Sequence, residues 1–363
     1  MTTRITLQSI ADRLGCSAKT VSNAFSRPDQ LSPALRERIL ATAAELGYPG
    51  PDPLAAGLRR GRVGAIGFAF ANRLSYAFED AVTVALLAGA SGVAENAGTG
   101  LLLVPGSATA ERNTAAVSAA VMDGLLVFSM ADDDPLLQAA IARGLPTVVM
   151  DEPEPLVLAA LGAPGRETPR WIGIDDRVAA RGAAEHLLGL GHRRIGVITF
   201  SLHRGQERGL MDVDAQDRAR YAVTRRRLEG FREAAASAGV QWPDVPVVAG
   251  VTSSVEEGRR ATATLLDARP DVTALLCLSD RLAEGAVHVL RSRGLEVPSD
   301  VSVVGFDDAP GAEPLGLTTV RQPHGEKGEA AARMLLALME GQEVPAVTTL
   351  ETQLVVRGST RQA

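Results

Sequence analysis

The sequence contains few of the residues that build disulfide-linked or metal-dependent folds. Only two cysteines, Cys16 and Cys277, occur in 363 residues, and neither lies in a C-x-x-C pair or a Cys/His pattern with zinc-ligand spacing. A disulfide scaffold and a structural zinc site are therefore not expected. No run of 18 or more uncharged apolar residues occurs, which excludes a transmembrane helix. The N-terminus also lacks the apolar core of a signal peptide, so a cytoplasmic protein without a membrane partner is predicted.

Motifs of the common nucleotide-dependent and hydrolytic enzymes are also missing. The chain has no Walker loop, no zinc-binding H-E-x-x-H helix and no G-x-S-x-G nucleophile elbow. Gly61, Gly64 and Gly67 come nearest to a dinucleotide fingerprint, but they lie before and inside the first predicted strand rather than at its exit. A nucleotide-dependent enzyme is therefore disfavoured, and neither a cofactor nor a metal is predicted.

Positive charge is concentrated at the N-terminus. The whole chain has 37 basic and 43 acidic residues, for a net charge of −6. Residues 1–62 contain nine basic and five acidic residues, so they carry +4 and the remainder carries −10. A basic segment on an acidic body is expected where one end of a protein meets a polyanion such as DNA.

The first fifty residues show the pattern of three short helices. Thr6 can cap the first helix and Gly15 can end it, while Ser17 can cap a second helix directly after this turn. Ser32 and Pro33 supply an N-cap and a proline at the first position of a third helix. Two short helices joined by a tight turn, with a third as support, are typical of a helix-turn-helix unit.

The second helix would present a polar face to DNA. In the helix-turn-helix geometry this helix enters the major groove, where lysine can donate to guanine and asparagine can pair with adenine. The alternative is a three-helix bundle whose polar face is only solvated. The residues that this face offers are Ser17, Ala18, Lys19, Thr20, Ser22 and Asn23.

A stretch rich in proline and glycine, 51–62, follows the third helix. Asp52 and Pro53 can cap a short helix that Gly61 would end. Such a helix is well below the ~12–15 residues needed for marginal stability alone, so it would form only when something packs against it. The alternative is an ordinary Pro/Gly linker.

The remaining 300 or so residues alternate short apolar strands with helices. About ten strands are predicted, and continuous apolar strands separated by helices indicate parallel sheets covered on both faces. So many strands favour two α/β lobes over a single sheet. Ligands of such sheets bind beyond the carboxyl ends of the strands.

Polar and aromatic residues follow the predicted strands. Carboxylates, a guanidinium and a few rings suit a polyhydroxylated or otherwise polar neutral ligand, although Asp and Ser at these positions can also act only as helix caps. The predicted ligand-binding residues are Tyr76, Phe78, Ser129, Asp151, Asp176, Arg227, Ser279, Asp280, Phe306 and Asp307.

An ordered set of motifs carries a family resemblance. The head contains ITLQSIA, GCS and TVS, and the following segment contains LGY and PDP. The body contains EHL, GHRRI, RLEGF, VSVVGFDD, TTVRQP and LVVRGST. With these motifs, from about residue 5 to residue 360, the chain resembles the LacI/GalR family of bacterial transcription regulators.

The resemblance implies an all-α helix-turn-helix headpiece and a two-lobed, periplasmic-binding-protein-like α/β body with parallel sheets. It implies a homodimer that binds pseudo-palindromic operator DNA, with an affinity controlled by a small effector such as a sugar held between the lobes. The expected boundaries are 1–50 for the headpiece, 51–62 for the hinge and 63–363 for the body, with an N lobe of about 63–174 and 325–352 and a C lobe of about 175–324 and 353–363.

The resemblance also implies residue roles. Leu58 matches the family position whose leucine wedges into the minor groove. Arg227 and Asp307 match family positions that contact the effector. With these additions, the predicted DNA-binding residues are Thr6, Ser17, Ala18, Lys19, Thr20, Ser22, Asn23, Ala55 and Leu58.

Two further expectations concern the body. The charged stretch 202–220 is longer than the family pattern, which predicts a lid or a partner surface there. A transport-type solute-binding protein would share the architecture of the body, but it would be exported and would lack the basic head.

Overall fold

The chain folds as two compact units, Met1–Gly64 and Ala65–Ala363. The structure is a computed structural model, and the residues that it describes are 5–50, 62–71, 73–106, 110–161, 168–203, 205 and 208–363. The predicted hinge helix and the residues Ala55 and Leu58 lie outside these described residues.

The first unit contains the three predicted helices: α1 (Leu7–Leu14), α2 (Ala18–Ser26) and α3 (Pro33–Glu45). The predicted caps are confirmed, because the side chains of Thr6, Ser17 and Ser32 each accept a hydrogen bond from a backbone N–H in the first turn. Gly15 ends α1 with a φ of 66°, a left-handed conformation that glycine adopts without strain. The helices enclose a small core of Ile10, Ala11, Val21, Ala24, Ile39 and Ala43.

The second unit contains two sheets, which are the basis of its two lobes. The first sheet is entirely parallel, in the order β12-β5-β4-β3-β1-β2. Its strands are β1 (Ala65–Phe70), β2 (Gly100–Pro105), β3 (Gly124–Phe128), β4 (Thr147–Met150), β5 (Arg170–Ile174) and β12 (Val347–Leu350).

The second sheet has the order β13-β11-β10-β9-β6-β8-β7, and only its two edge strands, β13 and β7, are antiparallel to their neighbours. Its strands are β6 (Ile195–Thr199), β7 (Gly209–Leu210), β8 (Val247–Ala249), β9 (Ala274–Cys277), β10 (Ser302–Asp307), β11 (Thr318–Arg321) and β13 (Gln353–Val355). The described chain passes between the sheets after β5, after β11 and after β12. These passages lie close to the crossovers near 174, 324 and 353 that the family resemblance implies.

Helices cover the sheets, as the parallel strand order requires. They are α4 (Leu74–Glu79), α5 (Ala81–Asn96), α6 (Ala110–Ala119), α7 (Pro135–Ala142), α8 (Pro155–Leu161), α9 (Asp176–Gly189), α10 (Val213–Asp217), α11 (Ala222–Ser237), α12 (Val255–Ala268), α13 (Asp280–Ser292) and α14 (His324–Met339).

Two details differ from the predicted elements. The sequence after β1 predicts one helical stretch over about 77–97, but two helices occur there. The extended backbone of Asp80 ends α4, and its carboxylate caps α5 by accepting from the Thr83 N–H at 3.0 Å. Thirteen strands occur in the described chain rather than about ten, because two- to four-residue edge strands leave no apolar run in the sequence.

The charged stretch 202–220 does not form a lid in its described part. Its β7 pairs with the edge of the second sheet, and Leu202 and Ala219 pack there against Ala249. Gln216 is anchored further by the Trp242 indole N–H, which donates to its side-chain oxygen at 2.9 Å. The stretch therefore extends the second lobe, and none of its described residues lines the cavity described below.

Candidate functional site

Six of the predicted DNA-contacting residues lie on α2 or at its N-cap. Ser17 and Lys19 are exposed, whereas Ala18, Thr20, Ser22 and Asn23 are partly buried. The hydroxyls of Ser17 and Thr20 lie 2.8 Å apart, and the Asn23 amide donates to Gln30 at 3.1 Å. The Thr6 hydroxyl accepts from the Ser9 N–H and therefore caps α1. Of these side chains, Lys19 is the exposed cation.

A cavity of about 160 Å³ is lined by residues from both lobes. Parallel strands of each sheet direct their carboxyl ends towards it, which is the position expected for a ligand site in such sheets. Six of the ten residues predicted from the sequence line this cavity: Tyr76, Ser129, Asp151, Arg227, Ser279 and Asp307.

The other four predicted residues do not line the cavity. Phe78 lies on α4 with its side chain exposed, and Phe306 is fully buried beneath the Arg227 guanidinium. Asp176 is buried behind Arg227 as its ion-pair partner. Asp280 is also buried, and it accepts hydrogen bonds from the Thr319 hydroxyl and the Ala309 N–H.

Several polar residues that the sequence analysis missed also line the cavity, among them Asp80, Glu152, Gln322 and His324. Glu152 follows the predicted Asp151 by one position, and Gln322 follows the end of β11, so the same strand-end rule can find both. Asp80 lies within a stretch that was predicted as one continuous helix. His324 lies at the start of α14, three residues after the end of β11.

Strand ends around the cavity adopt a backbone conformation that is unusual for residues with a side chain. Ser129, Asp151, Asp307 and Asp308 have positive φ angles, of 53°, 63°, 112° and 53°. Short polar side chains tolerate this region best, and strain of this kind is concentrated at ligand sites.

Arg227 organises the floor of the cavity. Its Nε donates to the Asp176 carboxylate at 2.7 Å, one Nη donates to the Leu278 carbonyl at 2.6 Å, and the guanidinium lies 3.6 Å from the centre of the Phe306 ring. Burial raises the pKa of Asp176, and the adjacent Arg227 opposes that rise. The guanidinium is thus held by protein groups on several sides.

A glycine makes the Arg227–Asp176 pair possible. Arg227 lies on α11 and Asp176 on α9, and the two helices pack against each other. A Cβ at Gly230 would overlap the carbonyl oxygen of Arg177. Only a residue without a side chain therefore allows the approach that brings the two charged groups together.

A second buried network joins the two lobes through the crossover after β11. The Lys327 ammonium donates to the Asp151 carboxylate at 2.6 Å and to the Gln322 side-chain oxygen at 3.2 Å. The Gln322 amide in turn donates to Asp307 at 2.8 Å. The ends of β4 and β10, in different sheets, are thereby connected by three consecutive hydrogen bonds.

Glu152, in the wall of the cavity, forms hydrogen bonds with both lobes. Its carboxyl group accepts from the Val223 N–H of the second lobe at 3.1 Å and from the Ser129 hydroxyl of its own lobe at 3.3 Å. Burial, reinforced by the nearby charges of Asp151 and Asp176, raises the pKa of Glu152 to about 8. The group is consequently protonated at neutral pH.

We expect Glu152→Gln to stabilise the protein increasingly as the pH rises from 5 to 8. The folded protein keeps a proton on Glu152 that the unfolded chain has lost above pH 4.5, so wild-type stability falls with pH across this window. Glutamine offers the same acceptor and donor without titrating. A gain of about 4 kcal/mol, or several °C in Tm, is expected at pH 8 and almost none at pH 4.5.

Calorimetry of both proteins across this pH range measures the effect, and Glu185→Gln, on the exposed face of α9, is the control. Other titrating groups are common to both proteins and cancel in the difference. A stability difference between wild type and Glu152→Gln that stays constant with pH contradicts the assignment.

His324 is the least satisfied polar group of the cavity. Its ring is buried, yet neither Nδ1 nor Nε2 has a hydrogen-bond partner among the described residues. The nearest carboxylate oxygen, on Asp307, lies 3.8 Å from Nε2. Burial, with Lys327 and Arg227 nearby, lowers the pKa of His324 to about 3, so the imidazole is neutral.

Ion pairs also connect the lobes at the rim of the cavity. Arg225 of the second lobe contacts Asp132 at 3.2 Å and Glu154 at 2.8 Å in the first lobe, and Arg226 also contacts Glu154. The Tyr76 hydroxyl donates across the cleft to the Ser253 carbonyl at 3.0 Å. The lobes are thus in contact in this structure.

Within the described ranges, no three His, Cys, Asp or Glu side chains are grouped so that they could hold a metal ion. No helix in that same part of the chain has the length and apolar character needed to cross a bilayer.

Known proteins are similar in sequence to nearly the whole of this chain. The model of the periplasmic binding protein-like domain matches residues 184–360. The HTH-type transcriptional regulator Rv3575c of Mycobacterium tuberculosis is 42% identical over 359 residues, covering 98% of this chain and 97% of the relative.

Solved structures are similar over nearly the whole chain as well. A LacI-family transcriptional regulator from Corynebacterium glutamicum has a TM-score of 0.73 at 34% identity, covering 98% of each chain. The transcriptional regulator CelR in complex with cellobiose has a TM-score of 0.70 at 30% identity, covering 98% of this chain and 100% of the other.

Proposed function

The chain belongs to the LacI family of transcriptional regulators, and we propose that it is a cytoplasmic, homodimeric repressor whose affinity for a pseudo-palindromic operator is set by a small effector bound between the two lobes. It is a DNA-binding regulator and not an enzyme. The division into a headpiece at 1–50, a hinge at 51–62 and a body at 63–363 is part of this proposal.

One observation carries the effector half of the proposal. The cavity is lined by strand ends of both sheets, so a ligand inside it contacts both lobes at once. A ligand that contacts both lobes stabilises one relative arrangement of the lobes over others. Control of occupancy follows if the DNA-binding arrangement and the effector-binding arrangement differ.

Shifting operator occupancy from 1:99 to 99:1 needs ~10⁴-fold differential affinity, about 5.5 kcal/mol. An effector that favours the DNA-binding arrangement acts as a co-repressor, and one that favours the other arrangement acts as an inducer. A sugar or sugar derivative suits the carboxyl, hydroxyl and amide groups of the cavity, and the similar regulator CelR is seen with cellobiose.

The DNA half rests on the headpiece. We propose that Ser17, Lys19 and their neighbours on α2 meet the major groove, with Thr6 near the backbone. Ala55 and Leu58, which lie outside the described residues, would contact the minor groove from the hinge. A leucine wedge there costs a few kcal/mol of unstacking, which is offset because bent DNA wraps more of the protein surface.

Pull-down from sheared genomic DNA, with and without small cell metabolites, tests the proposal directly. We expect enrichment of fragments that share a pseudo-palindromic sequence, a strong dependence of retention on salt, and loss of retention when residues 1–62 are removed. The metabolite fraction that changes retention contains the effector, and the direction of the change distinguishes induction from co-repression. A protein that enriches no sequence under either condition contradicts the proposal.

We expect Lys19→Ala to relax the base preference at one position of each operator half-site. Lys19 is the exposed cation of the recognition helix, and loss of a good base contact costs about 1–3 kcal/mol of discrimination. Selection from an operator library randomised at each position measures the preference. Arg38→Ala, on the exposed side of α3, is the control: it also removes one positive charge from the headpiece, and it should leave the base preference unchanged. An unchanged preference in Lys19→Ala contradicts base readout by Lys19.

A further inference from the structure

Arg208 and Glu257 form a bidentate ion pair outside the cavity. Arg208 directly precedes β7 in the charged stretch 202–220, and Glu257 lies in the first turn of α12. The Arg208 Nε donates to both carboxylate oxygens, at 2.9 and 2.8 Å, and one Nη donates to one of them at 2.7 Å. A contact at two points fixes the orientation of both side chains.

The same carboxylate holds a loop that is part of the cavity wall. Residues 250–254 connect β8 to α12, and three of them line the cavity. The Val251 N–H donates to the Glu257 carboxylate at 2.8 Å, and the Val251 carbonyl accepts from the Ser201 hydroxyl at 2.7 Å. A Cβ at Gly250 would lie 3.0 Å from the Glu257 Cβ, so the loop passes Glu257 closely. Glu257 thus fixes the beginning of this loop.

Hydrogen bonds continue from this loop to the other lobe. The Ser253 carbonyl accepts from the Tyr76 hydroxyl at 3.0 Å, and Tyr76 lies on α4 of the first lobe. The hydroxyls of Ser253 and Ser279 lie 2.8 Å apart, which connects the loop to the start of α13. A continuous series of contacts therefore runs from Arg208 through Glu257 and the loop to Tyr76.

The charge of Glu257 depends on Arg208. Only 7% of the Glu257 side chain is exposed, and a carboxylate in such a place needs a counter-ion. Burial opposes its ionisation, but the hydrogen bonds from Arg208 and from the Val251 N–H outweigh burial and lower the pKa of Glu257. Arg260 also approaches this carboxylate, but only to 3.8 Å. Without Arg208 the carboxylate would turn towards water, and the Val251 N–H would lose its fixed acceptor.

These contacts indicate a positioning role, and we propose that the Arg208–Glu257 pair holds the 250–254 loop where it lines the cavity and meets Tyr76. Through this pair the stretch 202–220 controls a contact between the lobes, although none of its described residues lines the cavity. The consequence for effector binding rests on the proposed function, whereas the effect on the loop and on Tyr76 does not.

A double-mutant cycle between Arg208 and Tyr76 tests the inference, because the two residues lie in different lobes and are joined through the loop. We expect Tyr76→Phe to lower the Tm of wild type, since the Ser253 carbonyl loses its donor. The same change should lower the Tm less than half as much in an Arg208→Met background, where the loop has already moved. Independent sites give additive losses. Additive falls in Tm overturn the inference.

Arg260→Met is the matched control. It removes the same charge near Glu257 but leaves the bidentate pair intact, because Arg260 forms its close hydrogen bond with the exposed Glu256, at 2.8 Å. Tyr76→Phe should therefore lower the Tm equally in wild type and in Arg260→Met. Equal non-additivity in Arg260→Met and Arg208→Met attributes the effect to net charge and contradicts a role for the pair.

Hydrogen exchange of the full chain, read by mass spectrometry, locates the change. We expect the amides of the 250–254 loop to exchange at least tenfold faster in Arg208→Met, while those of the central strand β9 keep the wild-type rate. Arg208→Lys retains the charge without the two-point contact, and its loop should exchange at an intermediate rate. Unchanged exchange in the loop, or faster exchange throughout the second lobe, overturns a positioning role.

The metabolite fraction recovered in the genomic pull-down tests the effect on the cavity. The amount of this fraction that produces half of its effect on operator retention should rise at least fivefold in Arg208→Met and stay within twofold of wild type in Arg260→Met. An unchanged amount together with a loosened loop overturns the link between the pair and the cavity. The cycle and the exchange measurement use neither DNA nor metabolites, so they can fail while the proposed function stands.

Discussion

Replacing Arg227 with methionine is expected to destabilise the body by about 3–5 kcal/mol and to abolish the response to the effector. The guanidinium is almost completely buried, and it forms an ion pair with Asp176, donates to the Leu278 carbonyl and stacks on Phe306. Methionine fills a similar volume but leaves the Asp176 carboxylate buried without a counter-ion. The penalty is the cost of that stranded charge, and it exceeds what the ion pair itself contributes.

The pH dependence of this loss identifies its cause. Protonation of Asp176 removes the uncompensated charge, so the destabilisation of Arg227→Met should be largest near pH 7 and should shrink as the pH falls towards 4. Chemical denaturation of wild type and variant across this range measures it. The control is Arg181→Met, which breaks an exposed pair with Glu185 on α9 and should cost less than about 1 kcal/mol at every pH. An Arg227→Met protein as stable as this control contradicts the role assigned to the buried pair.

The headpiece could be predicted from sequence because its determinants are local. Thr6, Ser17 and Ser32 each cap the helix that begins at the next residue, and Gly15 ends α1 by its own backbone preference. None of these assignments depends on distant parts of the chain. The α/β body was predictable for a related reason, since strands buried on both faces leave continuous apolar runs.

The cavity was only partly predictable, because its lining depends on which side of a strand end each residue faces. Asp151 and Asp307 were found by the strand-end rule, and the same rule also selected Asp176 and Asp280, which do not line the cavity. In the folded protein those two carboxylates bond to Arg227 and to Thr319 instead. Aspartate after a strand can serve a ligand, a helix or a buried partner, and sequence position alone does not distinguish the three.

Lys327 is the clearest case of a role that sequence reasoning could not find. The chain has only two lysines, and this one lies within a helical stretch, where lysine is ordinarily exposed. In the folded protein it is fully buried, because three-dimensional packing brings Asp151 and Gln322 to its ammonium from other elements. No local pattern reports such an arrangement.

Lys327→Met is expected to cost about 3–5 kcal/mol of stability, and Asp151→Asn is expected to restore much of it when the two changes are combined. The single change leaves the Asp151 carboxylate buried without its cation. The asparagine carries no charge, and of the alternatives to aspartate it best tolerates the φ of 63° at this position. The double variant contains neither charge, so no buried charge is left without a partner. Its loss of stability should therefore be smaller than that of Lys327→Met alone.

A double-mutant cycle by chemical denaturation measures the coupling between the two side chains. Arg333→Met is the control on the same helix, because its pair with Glu329 is exposed and its loss should cost less than about 1 kcal/mol. Losses that simply add in the double variant show that Lys327 and Asp151 do not depend on each other. Strong coupling, accompanied by weaker effector binding in both single variants, shows that this pair holds Gln322 and Asp307 in place and so connects the crossover between the lobes to the wall of the cavity.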